Sequence, residues 1–140
     1  MTKVNRAEAL IDLGAIESNV RTLMRKAGKP ALAVVKADAY GHGLVPVAKS
    51  ALKAGATWLG TALLEEALLL RTSGISAPTL SWLTPIHEDF ESALIHDIDL
   101  AIPSLDHLSA VMKAATITKK VPRIHLEVDT GMSQIGRAHV

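Results

Sequence analysis

The chain contains no cysteine, which excludes disulfides, thiolate metal sites and a cysteine nucleophile. It holds a single tyrosine, Tyr40. No apolar run approaches the roughly 18 residues of a membrane span, and the richest stretch, residues 58–70, is interrupted by Glu65 and Glu66. The opening residues 1–6 carry charge with no apolar core behind it, so they do not read as a signal peptide. Neither sign of charge dominates. Fifteen basic and 14 acidic side chains leave a net charge of +1, mixed along the chain without the basic patch that nucleic acid requires. Six histidines are present (His42, His87, His96, His107, His125 and His139), but none pairs at a tight metal-ligand spacing, so no metal is assigned. Linkers, low-complexity segments and sequence repeats are also missing. What remains is the composition of a soluble globular protein, 49% apolar and 21% charged over 140 residues, enough for one domain with a core. The lack of cysteine fits a cytoplasmic location.

The pattern along the chain is an alternation. Residues 9–13 read as an opening strand, and Ile16, Val20 and Leu23 then recur at helical spacing until Gly28 and Pro30. Residues 31–35 are apolar on both faces, as a buried parallel strand requires. Pro46 suits a first helical turn, and Gly55 closes that helix. Residues 58–61 are the next strand, after which Thr61 is placed to cap a helix ending at Gly74. Residues 79–83 form a further strand, with Pro85 opening the helix behind it. Residues 99–102 precede a helix capped by Ser104, and residues 123–128 read as a last strand. Repeated βα units of about 20–25 residues predict an α/β fold with a parallel sheet. An open doubly wound sheet and a (β/α)8 barrel share this pattern. A TIM-type barrel takes roughly 200–250 residues, so here about five of its eight strands are expected.

Functional groups in such architectures gather at the carboxyl ends of strands. Lys36 directly follows an apolar strand and precedes a loop of small and polar residues. Partial desolvation there favours the neutral amine, which can condense with an aldehyde. A lysine whose stem packs on the sheet rim while its ammonium reaches water is the simpler reading of the same position.

The segment Ala33-Val-Val-Lys36-Ala-Asp-Ala-Tyr40-Gly-His-Gly43 closely resembles the cofactor-attachment segment of alanine racemases. The resemblance extends along the chain. Residues 9–15 are similar to the family's opening segment, residues 58–67 to its second barrel strand and following helix, and residues 125–132 to its fifth strand. The resemblance implies a fold-type III barrel, residues 15–140 here, preceded by an opening segment, residues 1–14. The rest of the barrel and a C-terminal β domain would lie beyond. It implies that Lys36 carries pyridoxal 5'-phosphate (PLP) covalently and acts as one catalytic base. It places Tyr40 beside the cofactor and its phosphate, and gives His42 a supporting role in the loop. In the family a second base, a tyrosine, comes from the C-terminal domain of the partner subunit of a homodimer. Tyr40 is already a cofactor neighbour, so that second base is not among these residues. The implied reaction interconverts L- and D-alanine and supplies D-alanine to the bacterial cell wall.

Two positions depart from the family. Glu127 stands where a lysine, often carbamylated, is common, and is expected to supply a comparable negative charge unmodified. Gln134 stands where the family has an arginine at the cofactor ring oxygen. An amide there keeps a hydrogen bond but brings no charge. Two other readings stay open. One is a PLP-binding barrel of the PLP-homeostasis kind without racemase activity. The other is a non-catalytic fragment whose open sheet edges pair with other chains. With the late phosphate-binding loops beyond Val140, the 140-residue polypeptide is expected to have little activity alone.

Overall fold

The computed structural model describes residues 7–131. Five strands, β1 (Leu32–Val34), β2 (Trp58–Thr61), β3 (Thr79–Ser81), β4 (Asp99–Ile102) and β5 (Ile124–Leu126), form one sheet. Every neighbouring pair is parallel, and the strands lie in the order β1-β2-β3-β4-β5. A doubly wound sheet would reverse its order at a switch point. This one never does, so each crossover advances in the same direction, as in a barrel wall. The chain is thus an α/β protein with a partial parallel barrel. The helices are α1 (Leu13–Ala27), α3 (Leu44–Lys53), α4 (Leu64–Thr72), α5 (Phe90–Ile95) and α6 (Leu105–Thr118), with a short turn, α2 (Lys36–Gly41), directly after β1. Among the described residues no helix is long and apolar enough to cross a membrane.

Strand alternation divides the sheet into two faces. Leu59, Thr61, Thr79, Ser81, Leu100 and Ile102 point outward and are buried beneath the helices. One apolar cluster joins Leu100 and Ile102 to Leu64, Phe90, Leu94 and Val111, and another joins Leu59 to Val35, Leu44, Ala48, Leu70 and Ile75. The concave face carries different chemistry. Asp99, 1% exposed, accepts from Arg123 Nε at 2.8 Å and pairs with His125 Nε2 at 3.1 Å. His125 meets Trp58 edge to face at 5.7 Å between ring centroids. Those rings stand on β2 and β5, three strand spacings apart, about 14 Å in a flat sheet, so both side chains reach toward one concavity. Gly60 also lies on this face. A Cβ there would sit 2.6 Å from Leu32 Cδ2 and 2.7 Å from Trp82 Cζ3, so only glycine admits the Trp82 ring.

Three local expectations need correction. Residues 9–12 form no strand, because no strand among the described residues pairs with them, and Asp12 instead caps α1 by accepting from Ala15 N at 3.0 Å. Thr61 does not cap α4. Its hydroxyl is turned into the sheet and donates to Leu80 O at 3.3 Å, while the helix starts three residues later. Pro85 does not open α5, which begins at Phe90 behind the cap Asp89, whose carboxylate accepts from Ser92 N at 3.0 Å. Ser104, by contrast, caps α6 as the sequence indicates. On the outer face of β5, Ile124 and Leu126 are 40% and 77% exposed, because no described helix covers that strand.

Candidate active site

Since all five strands run parallel, their carboxyl ends share one rim. Lys36 stands at the end of β1, Ala62 and Leu63 after β2, Trp82 after β3, Pro103 after β4 and Glu127 after β5. The β1 end is anchored into the sheet by Val35, which is 1% exposed and donates its N–H to Gly60 O at 2.9 Å.

Lys36 opens a turn that the sequence does not announce. Ala37, Asp38, Ala39 and Tyr40 all adopt left-handed helical angles, with φ between 50° and 55°. None is glycine, and a left-handed residue costs roughly 1–2 kcal/mol, so the turn carries several kcal/mol of conformational cost. Contacts on both flanks offset it. Ala39 N donates to Val35 O at 2.9 Å, and Gly43 N to Asp38 O at 3.0 Å. Asp38 Oδ1 accepts from Leu44 N at 2.6 Å, which satisfies an orphan donor at the start of α3. His42 Nδ1 lies 2.7 Å from Ala39 O, so the histidine braces the turn as expected. The turn faces Lys36 and Tyr40 toward each other, with Nζ 5.9 Å from the ring centroid. Tyr40 is 73% exposed. Among the described residues Lys36 Nζ enters no ion pair. A half-buried lysine with no ion pair among the described residues, on a rim beside an aromatic face, fits an aldehyde cofactor that must reach the nitrogen.

Glu66 is the residue that sequence reasoning undervalued. As one of two acidic residues at the start of α4, it reads as a solvated helix end favoured by the macrodipole. In the structure its Oε2 accepts from Ala62 N and Leu63 N, both at 3.0 Å, and its Oε1 accepts from Ala37 N at 2.5 Å. Its place three residues after Leu63 signals the local capping bond. The bond to Ala37, 29 residues away, has no local signal.

On the other side of the rim, His107 lies 2.8 Å from Ser104 Oγ through Nδ1 and 3.1 Å from Thr84 O through Nε2. Thr84 Oγ1 and Glu127 Oε2 are buried here without a hydrogen bond among the described residues. Burial raises the Glu127 pKa above its usual value of 4.5, with His107 acting in the opposite direction. Glu127, Ser104 and Leu126 also border a cleft of about 500 Å³. Because the folded state holds Glu127 protonated more readily than the unfolded state does, its contribution is complete below the usual glutamate value. It is lost as pH rises through the raised folded value. Glu127→Gln is therefore expected to raise the urea midpoint at about pH 7, the gain vanishing near about pH 4. Equal midpoints at both pH values would contradict the burial assignment.

Lys36 and Tyr40 are thus brought together. Glu127 shares their rim, but among the described residues no hydrogen bond or ion pair joins it to either. Gln134 lies outside the described residues.

Residues 11–139 match the family model of the alanine racemase N-terminal domain. The alanine racemase of Thermobifida fusca is 51% identical over 131 residues, covering 93% of this chain and 35% of that protein. This chain therefore spans about a third of the length of the curated relatives it matches. Among solved structures, the alanine racemase of Streptomyces lavendulae aligns with a TM-score of 0.87 at 45% identity, over 90% of this chain and 33% of that one. A histidine racemase from Leuconostoc mesenteroides aligns with a TM-score of 0.79 at 32% identity, over 89% of this chain and 34% of that one. With its consecutively wound parallel strands and its sequence agreeing, this chain belongs to the alanine racemase family and carries part of the family's N-terminal domain.

Proposed function

We propose that the full-length protein is a PLP-dependent racemase that interconverts L- and D-alanine. The observation that carries the reading is Lys36 at the end of β1, facing Tyr40 across the left-handed turn. Bound PLP supplies an electron sink that makes the Cα–H of an attached amino acid acidic. The residues of this chain hold and orient. Lys36 anchors the cofactor through Nζ, and Tyr40 packs beside it. With the cofactor bound, the Lys36 amine would serve as the base that takes or returns a proton on one face of the substrate Cα. Gln134 is assigned a contact with the cofactor ring oxygen, and Glu127 the negative charge behind it. The proton on the opposite face belongs to a tyrosine of the partner subunit in a homodimer, beyond this chain. The proposal includes a cytoplasmic location and supply of D-alanine to the cell wall.

Alanine is the favoured substrate because curated relatives at about half identity carry that name. The histidine racemase aligns over the same third of its length, so the groups that select the side chain are assigned to the remaining two thirds. A barrel that stores PLP without racemising is disfavoured by the attachment motif and by the match to racemases in particular.

The test is reductive trapping. The full-length protein and the 140-residue chain are each incubated with PLP, reduced with borohydride and mapped by peptide mass. Label confined to Lys36 in the full-length protein, together with interconversion of alanine enantiomers, is the expected result. Label scattered over surface lysines, or trapping without racemisation, would sink the racemase reading. The shorter chain is expected to turn over little or no alanine.

A further inference from the structure

We propose that Glu66 is a positioning residue for Lys36, acting by clamping the peptide that joins Lys36 to Ala37. The inference rests on the assignment of Lys36 made above. A glutamate that only caps α4 needs to reach no further than the amides at its own helix start, and Oε2 does this at Ala62 and Leu63. Its second oxygen serves no capping purpose. Oε1 crosses to the neighbouring strand end and takes Ala37 N–H at 2.5 Å. That N–H belongs to the peptide plane leaving Lys36, so holding it fixes the backbone rotation that aims the Lys36 side chain along the rim. The clamp also acts at the entrance to the left-handed turn, where four residues in succession hold a costly conformation. Asp38 restrains the exit by accepting from Leu44 N at 2.6 Å. One carboxylate thus ties the end of β1 to the end of β2, and Ala62 O in turn accepts from Leu83 N at 2.7 Å beyond β3. Neither Gln nor Asp reproduces this. Glutamine has one acceptor oxygen for two groups of donors, and aspartate is shorter by a methylene.

The experiment uses the full-length protein with Glu66→Gln, Glu66→Ala and Asp89→Ala, the last removing a comparable cap from α5, whose carboxylate bonds Ser92 rather than the turn after Lys36. In the protein without PLP, Ala37 amide exchange is expected to quicken about tenfold in both Glu66 variants, the scale of one charge-assisted hydrogen bond. It should stay unchanged in Asp89→Ala. With PLP added, borohydride labelling of Lys36 is expected to slow about tenfold in the Glu66 variants alone, even where Asp89→Ala lowers the melting midpoint as much. Ala37 exchange within twofold of the unsubstituted protein, or labelling that tracks melting midpoint across all three variants, overturns the proposal. If the unsubstituted protein fails to label Lys36, the cofactor reading falls, and the Ala37 exchange still decides the clamp.

Discussion

Lys36→Ala in the full-length protein is expected to abolish site-specific trapping of PLP and to lower alanine racemisation on the order of 10⁴-fold or more. One positioned acid or base is worth roughly 10²–10⁴-fold, and this substitution removes the covalent anchor as well. Lys36→Arg is the sharper variant. It keeps a long stem beside the Tyr40 ring, whose centroid lies 5.9 Å from the present Nζ, but a guanidinium stays protonated and does not condense with an aldehyde. Were Lys36 only a rim lysine with a packed stem, Arg would restore nearly everything. An active Lys36→Arg enzyme would therefore refute the assignment, whereas loss in both variants with unchanged melting midpoints supports it.

Arg71→Ala is expected to lower stability by about 3 kcal/mol while leaving Lys36 labelling intact. The guanidinium of Arg71 stands at the end of α4, at the opposite edge of the sheet from the rim. Its Nε donates to His96 O at 2.8 Å, one terminal nitrogen to Ile75 O, Ala77 O and Thr79 Oγ1 at 3.0, 2.8 and 3.2 Å, and the other to Asp97 O at 3.0 Å. These carbonyls belong to the loops entering β3 and β4. Burial lowers the Arg71 pKa, with Asp97 countering, yet the group stays charged. Hydrogen bonds to a charged group contribute about 1.5–3 kcal/mol each but do not add when they share one donor group. Removing the fork strands several acceptors at once. Lysine at this position reaches few of them and is expected to recover less than half of the loss. A shift in the urea midpoint equivalent to under ~0.5 kcal/mol would match an ordinary surface substitution and contradict this account.

Much of the local order is legible in the sequence. β2 and β4 lie at residues 58–61 and 99–102 as the apolar runs indicate, and Ser104 caps α6. In these places the deciding forces are short in range: apolar continuity, a capping hydroxyl, a glycine stop. The misreadings at residues 9–13 and at Pro85 have a common cause. An apolar run becomes a strand only if another strand lies beside it, and a proline permits a helix start without compelling one. The left-handed turn after Lys36 was invisible because Ala, Asp, Ala and Tyr have no preference for that conformation. It exists because Glu66, Asp38 and the sheet hold it from both ends.

By itself, the sequence determined the alternation of strands and helices and set Lys36 at a strand end within a recognisable motif. It also placed no cysteine among these 140 residues. Only the tertiary structure decided between an open sheet and a barrel wall, because both use the same local pattern and differ in which strand lies beside which. It alone joined Glu66 to the peptide after Lys36, since a hydrogen bond across 29 residues depends on the packing of β1 against β2 and leaves no periodicity in the chain.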